Sequence, residues 1–178
     1  MLPRTQSVLS PIPLSLKKHV AIDLFAGCGG MSMGMEKAGF AVAYANEMME
    51  HPALTYRTNF PSTKVEIADI RKTDPAQVSK KIGRKKVDVI AAGPPCQGFS
   101  MLGLRNENDE RNKLFKQIIK FVEFFQPKFV VMENVVGLLS MKKGKTIKSI
   151  CRKFEKCGYS VRYDTLVASD FGVPQNRT

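Results

Sequence analysis

Apolar segments with the character of buried strands alternate with helical segments along nearly the whole chain, and this alternation limits the possible folds more than any other feature. The pattern predicts strands at residues 19–26, 41–47, 63–70, 87–93, 128–135 and 159–168. It predicts helices at residues 29–40, 51–60, 74–82, 114–125 and 145–158. Such alternation predicts an α/β fold, in which a mainly parallel sheet carries helices on both faces.

Polar residues and glycines gather where the predicted strands end. Ligands of open parallel sheets bind beyond the carboxyl ends of the strands, so these residues are the candidates for a site. They are residues 23–30, Glu47, Asp69, residues 93–96, Glu133 and Asn134. The basic run KKIGRKK at residues 80–86 precedes a strand and therefore belongs to the opposite rim. We interpret that run mainly as solvated surface.

The segment DLFAGCGG places three glycines, Gly27, Gly29 and Gly30, between a strand and a helix. Missing Cβ atoms let a ligand approach the backbone closely. Glu47, after the second strand, would bind the ribose hydroxyls of a nucleoside, and Asp69, after the third, would accept from an adenine amino group. The turn has neither the G-x-G-x-x-G spacing nor a cation for a diphosphate. The pattern therefore indicates S-adenosylmethionine rather than NAD; a tight turn without a ligand is the alternative.

The stretch VDVIAAGPPCQGFSM carries one thiol beyond the end of the fourth predicted strand. Pro94 and Pro95 restrict the backbone just before Cys96. A thiolate is a strong nucleophile when its pKa is lowered or when an acid assists it. Glu133 follows the neighbouring strand, where partial burial would raise its pKa and let it donate a proton. We therefore expect Cys96 and Glu133 to face one crevice.

The composition favours one class of partner and argues against several classes of protein. A net charge of +12 favours a polyanion, nucleic acid first. Membrane spans and signal peptides need apolar runs that this sequence lacks. Four cysteines without C-x-x-C spacing and two histidines argue against a zinc site and suggest a reducing cytoplasm. We expect a flexible arm at residues 1–18 and one domain over residues 19–178.

Five motifs occur in the order in which a known family has them: DLFAGCGG, GPPCQGFS, DERNKLF, MENV and FGVPQNR. With these motifs the sequence resembles the DNA (cytosine-5) methyltransferases of bacterial restriction-modification systems over about residues 19–178. The resemblance implies the Rossmann-like fold of S-adenosylmethionine-dependent methyltransferases, double-stranded DNA as substrate, and a prokaryotic cytoplasm.

The resemblance also implies residue roles. Cys96 would attack C6 of a cytosine flipped out of the duplex, Glu133 would hold and protonate N3, and Arg177 would organise the thiol pocket. The loop at residues 97–112 would close over the flipped base. The expected cofactor contacts are Phe25, Gly27, Gly30, Glu47, Asp69, Pro95 and Leu114.

The sequence departs from the family pattern at its end and at one cofactor position. It stops at Thr178, one residue before the second arginine of the family's Q-x-R-x-R motif, so the last sheet strand and the target-recognition domain are missing. The missing strand would lie between the fifth and sixth strands, so its loss should leave the fifth strand's edge unpaired. Met48 also stands where many members have an aromatic residue. We expect a marginal, inactive chain unless a second polypeptide supplies the rest.

Three other functions stay open at this point. The first is an RNA cytosine methyltransferase of the same fold, which only the missing recognition region would distinguish. The second is a cofactor-binding module without catalysis. The third is an NAD oxidoreductase, which the glycine spacing disfavours and which gives the motif PPCQ no role. The target sequence cannot be read from this chain.

Overall fold

The computed structural model describes residues 19–95 and 112–178. Its strands are β1 (His19–Leu24), β2 (Phe40–Glu47), β3 (Lys64–Ile67), β4 (Val89–Ala92) and β5 (Phe129–Met132). Its α-helices are α1 (Gly30–Lys37), α2 (Glu50–Asn59), α3 (Pro75–Ile82), α4 (Asn112–Phe125), α5 (Gly137–Ser140) and α6 (Lys145–Lys156). Short 3₁₀ turns cover Ile70–Lys72 and Ala168–Phe171. The predicted arm at residues 1–18 and most of the predicted loop lie outside the described residues.

The strands form one parallel sheet in the order β3-β2-β1-β4-β5. The order reverses direction at β1, and the carboxyl ends of all these strands meet at one rim. Residues 20–24 of β1 and 41–46 of β2 are buried on both faces, as expected for strands between two helical layers. The α/β sheet predicted from the alternation is confirmed.

Each face of the sheet carries its own apolar packing. Val20, Ile22 and Leu24 of β1 contribute to a cluster with α4 and α6, in which the rings of Phe115 and Phe154 meet edge to face with centroids 5.5 Å apart. Alternate residues of β1 and β2 pack against α1 and α2 on the other face. Helices therefore cover both faces of the sheet.

The helix starts follow local rules that the sequence displays. The Asp74 carboxylate accepts a hydrogen bond from the Ala76 amide at 3.3 Å, and Pro75 occupies the first helical position of α3. This arrangement satisfies one free amide and uses the fixed φ of proline. The predicted start of α3 is therefore confirmed.

The predicted sixth strand at residues 159–168 is wrong. Residues 159–167 form neither a strand nor a helix, and the Ala168–Phe171 segment is a 3₁₀ turn. Tyr159 is tied to the sheet, since its hydroxyl donates to the Pro127 carbonyl at 2.6 Å. The remaining segment has the composition of a strand without a neighbour to pair with, and strand geometry depends on ladder hydrogen bonds. β5 is accordingly the edge of the described sheet.

Candidate active site

The turn after β1 has a backbone shape that few sequences can adopt. Phe25, Gly27 and Gly29 have φ values of 61°, 54° and 98°, in the left-handed region that glycine tolerates best. A Cβ atom on Gly29 would collide with the Phe60 ring and lie 3.0 Å from the Tyr56 ring. By contrast, a Cβ on Gly27 or Gly30 would meet no heavy atom within 4 Å. The turn is thus packed against α2 beneath and open above.

Glu47, the last residue of β2, fixes this turn. Its Oε2 accepts a hydrogen bond from the Gly27 amide at 2.9 Å, and its Oε1 accepts from the Met49 amide at 2.8 Å. Each carboxylate oxygen keeps a lone pair for another donor. The structure therefore brings Glu47 to the glycine turn and leaves its carboxylate able to accept from a ligand.

A buried polar chain lies under the turn. The Ser32 hydroxyl donates to Asp23 Oδ2 at 2.6 Å, and the Tyr56 hydroxyl lies 2.5 Å from Ser32 Oγ. Because Ser32 has one proton to give, the Tyr56 hydroxyl is the donor of the second bond. Burial raises the pKa of Asp23 from 3.8 to about 6, against the lowering effect of the Ser32 hydrogen bond. The chain ties β1, α1 and α2 together.

Sequence reasoning missed two members of this chain. Ser32 is fully buried on α1 and Tyr56 is fully buried on α2, but neither stands out within its helix. The sequence signal was weak, because Ser32 stands between two methionines in GGMSMG and Glu36 lies one turn along the same helix face. Asp23 was identified as a strand-end residue, and its Oδ1 atom has no hydrogen-bond partner within the described residues.

Asp69, after β3, lies next to the end of β2. The Ala68 amide donates to the Glu47 carbonyl at 3.0 Å, which couples the two strand ends. The Asp69 carboxylate accepts from the Arg71 amide at 3.0 Å and forms an ion pair with the Arg71 guanidinium. The hydrogen bonds from the Arg71 side chain hold the pKa of Asp69 below its usual value. Asp69 is therefore an ionised acceptor beside Glu47.

Glu133 lies where the ends of β4 and β5 meet. Its amide donates to the Ala92 carbonyl at 3.0 Å, and the Asn134 side-chain amide donates to the Pro94 carbonyl at 2.9 Å. A Cβ on Gly93 would lie 3.6 Å from Glu133 Oε2 and 3.8 Å from the Met31 sulfur. These distances are those of ordinary contact, so Glu133 of the β5 end and Met31 of the first turn of α1 both border Gly93.

The sequence predicts two properties of Glu133: partial burial, and a position facing Cys96. The expected partial burial of Glu133 is wrong, since the residue is exposed; the outer side of β5 carries no neighbouring strand in the described sheet to cover it. Cys96 lies outside the described residues, so its facing Glu133 stays a prediction. Pro94 is buried and Pro95 is exposed, and they lead the chain from β4 toward that thiol.

A cavity of about 410 Å³ opens beside Glu133. Met31, Asn134, Leu138, Ile147 and Thr178 are among the residues that line it. The chain end is thus near the carboxylate, and the Arg177 carbonyl accepts a hydrogen bond from the Ala168 amide at 2.8 Å. Within the described residues no ion pair joins Arg177 to Glu133, so the role of Arg177 stays a prediction.

The remaining predicted cofactor residues lie at the edge of the main core. Phe25 and Leu114 are half-buried and pack against the cluster that contains α4 and α6. Leu114 belongs to the first turn of α4. Met48, where the family pattern has an aromatic side chain, is 63% exposed. Within the described residues no three His, Cys, Asp or Glu side chains are grouped to hold a metal, and no helix is long and apolar enough to span a membrane.

Comparison with known proteins identifies the family. The family model for C-5 cytosine-specific DNA methylases matches residues 20–178. The chain belongs to the C-5 cytosine-specific DNA methylase family. All five motifs that carried the resemblance lie within the matched residues.

Curated relatives of this chain are named Type II methyltransferases. This methylase chain is 45% identical over 160 residues to the Type II methyltransferase M1.HphI of Haemophilus parahaemolyticus, covering 88% of the chain and 43% of the relative. It is 47% identical over 159 residues to M.DdeI of Desulfomicrobium norvegicum, covering 88% and 38%. The chain thus spans about two-fifths of the length of these relatives.

Solved structures have the same fold. A candidate DNA modification methyltransferase encoded within an E. coli prophage superposes with a TM-score of 0.72 at 32% identity, covering 89% of this methylase chain and 44% of the other. The S. pombe Dnmt2 methyltransferase superposes with a TM-score of 0.67 at 20% identity, covering 89% and 46%. At that identity the second likeness supports the fold alone.

Proposed function

We propose that this chain carries the cofactor-binding and catalytic portion of an enzyme that transfers a methyl group from S-adenosylmethionine to C5 of cytosine in double-stranded DNA. The observation that carries the proposal is the approach of Glu133 Oε2 and the Met31 sulfur to the same point at Gly93, 3.6 Å and 3.8 Å from a Cβ there. This arrangement supports the proposal because a carboxylate borders both Gly93, which precedes Pro94 and Pro95, and the first turn of α1.

The residues of the glycine turn fit the methyl donor. Open space above Gly27 and Gly30 admits a ligand against the backbone. Glu47, oriented by two backbone amides, would accept from the ribose hydroxyls, and Asp69 would accept from the adenine amino group. Phe25, Pro95 and Leu114 would supply apolar contacts. S-adenosylmethionine, when bound, supplies an electrophilic methyl group on a sulfonium.

The chemistry of cytosine explains why a thiol and an acid are needed together. C5 of cytosine is a poor nucleophile until C6 carries an added group. In the proposal the Cys96 thiolate forms a bond to C6 while Glu133 protonates N3, so the electron pair of the C5–C6 double bond becomes available at C5. C5 would take the methyl group as its bond to the sulfonium sulfur breaks, and N3 would return its proton to Glu133; a base would then remove the C5 proton, the C5–C6 double bond would re-form and Cys96 would leave as thiolate. Arg177 would organise the thiol pocket.

A second polypeptide, or further chain beyond residue 178, would complete the enzyme. β5 exposes Phe129 and Val131 at 66% and 51%, and its outer edge carries no neighbouring strand in the described sheet. The matched region makes up 67% of a shorter relative, M.AquIA of Picosynechococcus, at 37% identity. The missing segment would carry target recognition. By analogy with the Type II relatives, the setting would be restriction protection in a bacterial cytoplasm.

Trapping tests this function. Fluorine at C5 blocks the final proton removal, so a competent enzyme stays bonded to a duplex containing 5-fluorocytosine when S-adenosylmethionine is present. The chain is tested alone and with the polypeptide encoded beside it. We expect a denaturation-resistant adduct that Cys96→Ser abolishes, with Cys151→Ser as the matched control that keeps it. Measured S-adenosylmethionine binding without an adduct in either setting would refute methylation.

A further inference from the structure

The outer face of α6 carries a regular line of cations. Lys145, Lys148, Arg152 and Lys156 are exposed and follow each other at spacings of three, four and four residues, which place them on one face of a helix. We call these four residues the α6 stripe. At 1.5 Å per residue the stripe spans roughly 16 Å.

The stripe is held rigidly. Ile150 and Phe154, on the inner face of α6, belong to the main core cluster. Lys153 points inward, with its Nζ 5.4 Å from the centroid of the Phe115 ring, so it is not part of the stripe. The cations therefore project from a helix whose position is fixed by packing.

Folding does not account for the charges of the stripe. Within the described residues, no ion pair involves any of the four cations. The first turn of α6 contains no acidic residue, so Lys145 opposes the helix macrodipole there, whereas Lys156 lies in the last turn, where the macrodipole favours a cation. The amino-terminal end of the stripe thus costs some stability, as binding surfaces often do.

The outer face of α6 fits nucleic acid better than protein. None of the large apolar side chains that the described residues expose lies on α6. A protein interface needs an apolar centre, whereas an interface with nucleic acid is polar and positively charged. The first turn of α6 also lies near the rim that carries Glu133, because Ile147 of α6 lines the same cavity as Glu133.

We propose that the α6 stripe binds the phosphate backbone of duplex DNA on one side of the target base, independently of sequence. The inference rests on the proposed function only in taking DNA as the substrate. The other basic run differs in place and in pairing. Residues 80–86 precede β4, at the rim opposite Glu133, and Lys81 in that run is neutralised by Glu66 at 2.8 Å.

The test compares two triple variants with the same change of charge. One is Lys145→Gln, Lys148→Gln and Arg152→Gln in the stripe; the other is Arg84→Gln, Lys85→Gln and Lys86→Gln at the opposite rim. Fluorescence anisotropy of the full chain on a duplex made only of A·T pairs gives affinity against salt. Without cytosine in the duplex, the result does not depend on methylation, and a failed trapping experiment leaves it interpretable.

Losing up to three phosphate contacts should reduce the slope of log affinity against log salt by about 2 to 3. We expect that reduction for the stripe variant, little change for the opposite-rim variant, and a wild-type slope for Lys145→Arg with Lys148→Arg. Circular dichroism checks that each variant folds. Equal losses in the two triple variants would mean attraction by net charge alone and would overturn the proposal. An unchanged slope of log affinity against log salt in the stripe variant would also overturn the proposal, even if that variant loses binding to a protein partner.

Lysine footprinting of the unsubstituted chain gives a second reading that needs no variant. Duplex should slow acetylation of Lys145 and Lys148 while Lys85 and Lys86 react as before. Equal protection of both sets, or of neither, would contradict a stripe-specific contact.

Discussion

The two halves of the sheet differ in how many of their strand-end carboxylates have partners and in how much apolar surface they expose. In the β1–β3 half, the carboxylates at the strand ends have partners: Glu47 binds two backbone amides, and Asp69 is paired with Arg71. In the β5 half, Glu133 is exposed and Phe129 is 66% exposed. The β1–β3 half is therefore more fully paired, whereas the β5 half is open on one side. Under the proposed function, we expect the chain alone to bind the methyl donor without transferring the methyl group.

The largest expected effect comes from a core substitution. Phe121→Ala removes a fully buried ring from the cluster between the sheet and α4. Such truncations cost about 3–5 kcal/mol. We expect the free energy of unfolding, measured by urea denaturation, to fall by that amount or the chain to fail to fold. A loss below about 1 kcal/mol would show that this core is loosely packed.

The next effect is a pH dependence from Asp23. Its folded pKa of about 6 lies above the ordinary 3.8, so the protonated form is favoured by folding. The contribution is full below pH 3.8 and is lost as pH rises through about 6, an interval worth about 3 kcal/mol. Asp23→Asn, which keeps the shape of the side chain, should remove this slope. The urea midpoints of the two proteins are compared between pH 4 and 7. The same pH dependence in both would contradict the buried hydrogen bonds of Asp23, Ser32 and Tyr56.

A smaller effect is expected on the affinity for S-adenosylmethionine when Glu47 is substituted. Glu47→Gln keeps one oxygen acceptor, so one of the two amides bound by the carboxylate loses its partner and the charge is removed. A lost charge-assisted hydrogen bond costs about 1–3 kcal/mol. We expect calorimetry to give a 10- to 100-fold weaker affinity for S-adenosylmethionine. Glu50→Gln, an exposed substitution at the start of α2, is the matched control and should leave the affinity unchanged.

The smallest expected effect is on the open edge. Phe129→Ala should change the free energy of unfolding of the chain alone by no more than about 0.5 kcal/mol, because the ring is largely exposed. With a completing polypeptide present, the same substitution should weaken the association. Pull-down affinity of the two proteins measures this. Unaltered association would mean that the edge of β5 is not where the remainder binds.

Much of the fold follows from local chemistry. The alternation of strand-like and helical segments predicts the sheet, and Asp74 with Pro75 predicts the start of α3, because these signals act within a few residues. The pairing of Glu47 with the glycine turn required only that both lie at carboxyl ends of neighbouring strands. The family assignment, carried by the five motifs, is confirmed.

What sequence reasoning could not reach depends on distant neighbours. The segment at residues 159–168 has strand composition, yet a strand exists only with a partner to receive its hydrogen bonds. Ser32 and Tyr56 look ordinary within their helices until α1 and α2 pack side by side. The exposure of Glu133 likewise depends on what covers β5, which its own sequence does not reveal. The roles of Cys96 and Arg177 stay predictions.

The open edge of β5 has a consequence for handling the protein. Unpaired strand edges invite association between copies, and the groove of about 670 Å³ beside β5 is lined by both that strand and α6. Two copies joining edge to edge would bring two strongly cationic helices together, so mutual repulsion should keep the copies apart at low ionic strength. Screening shortens the range of that repulsion to about 3 Å at 1 M salt. Purification and storage at high salt should therefore promote aggregation, and dilute buffer should keep the chain dispersed.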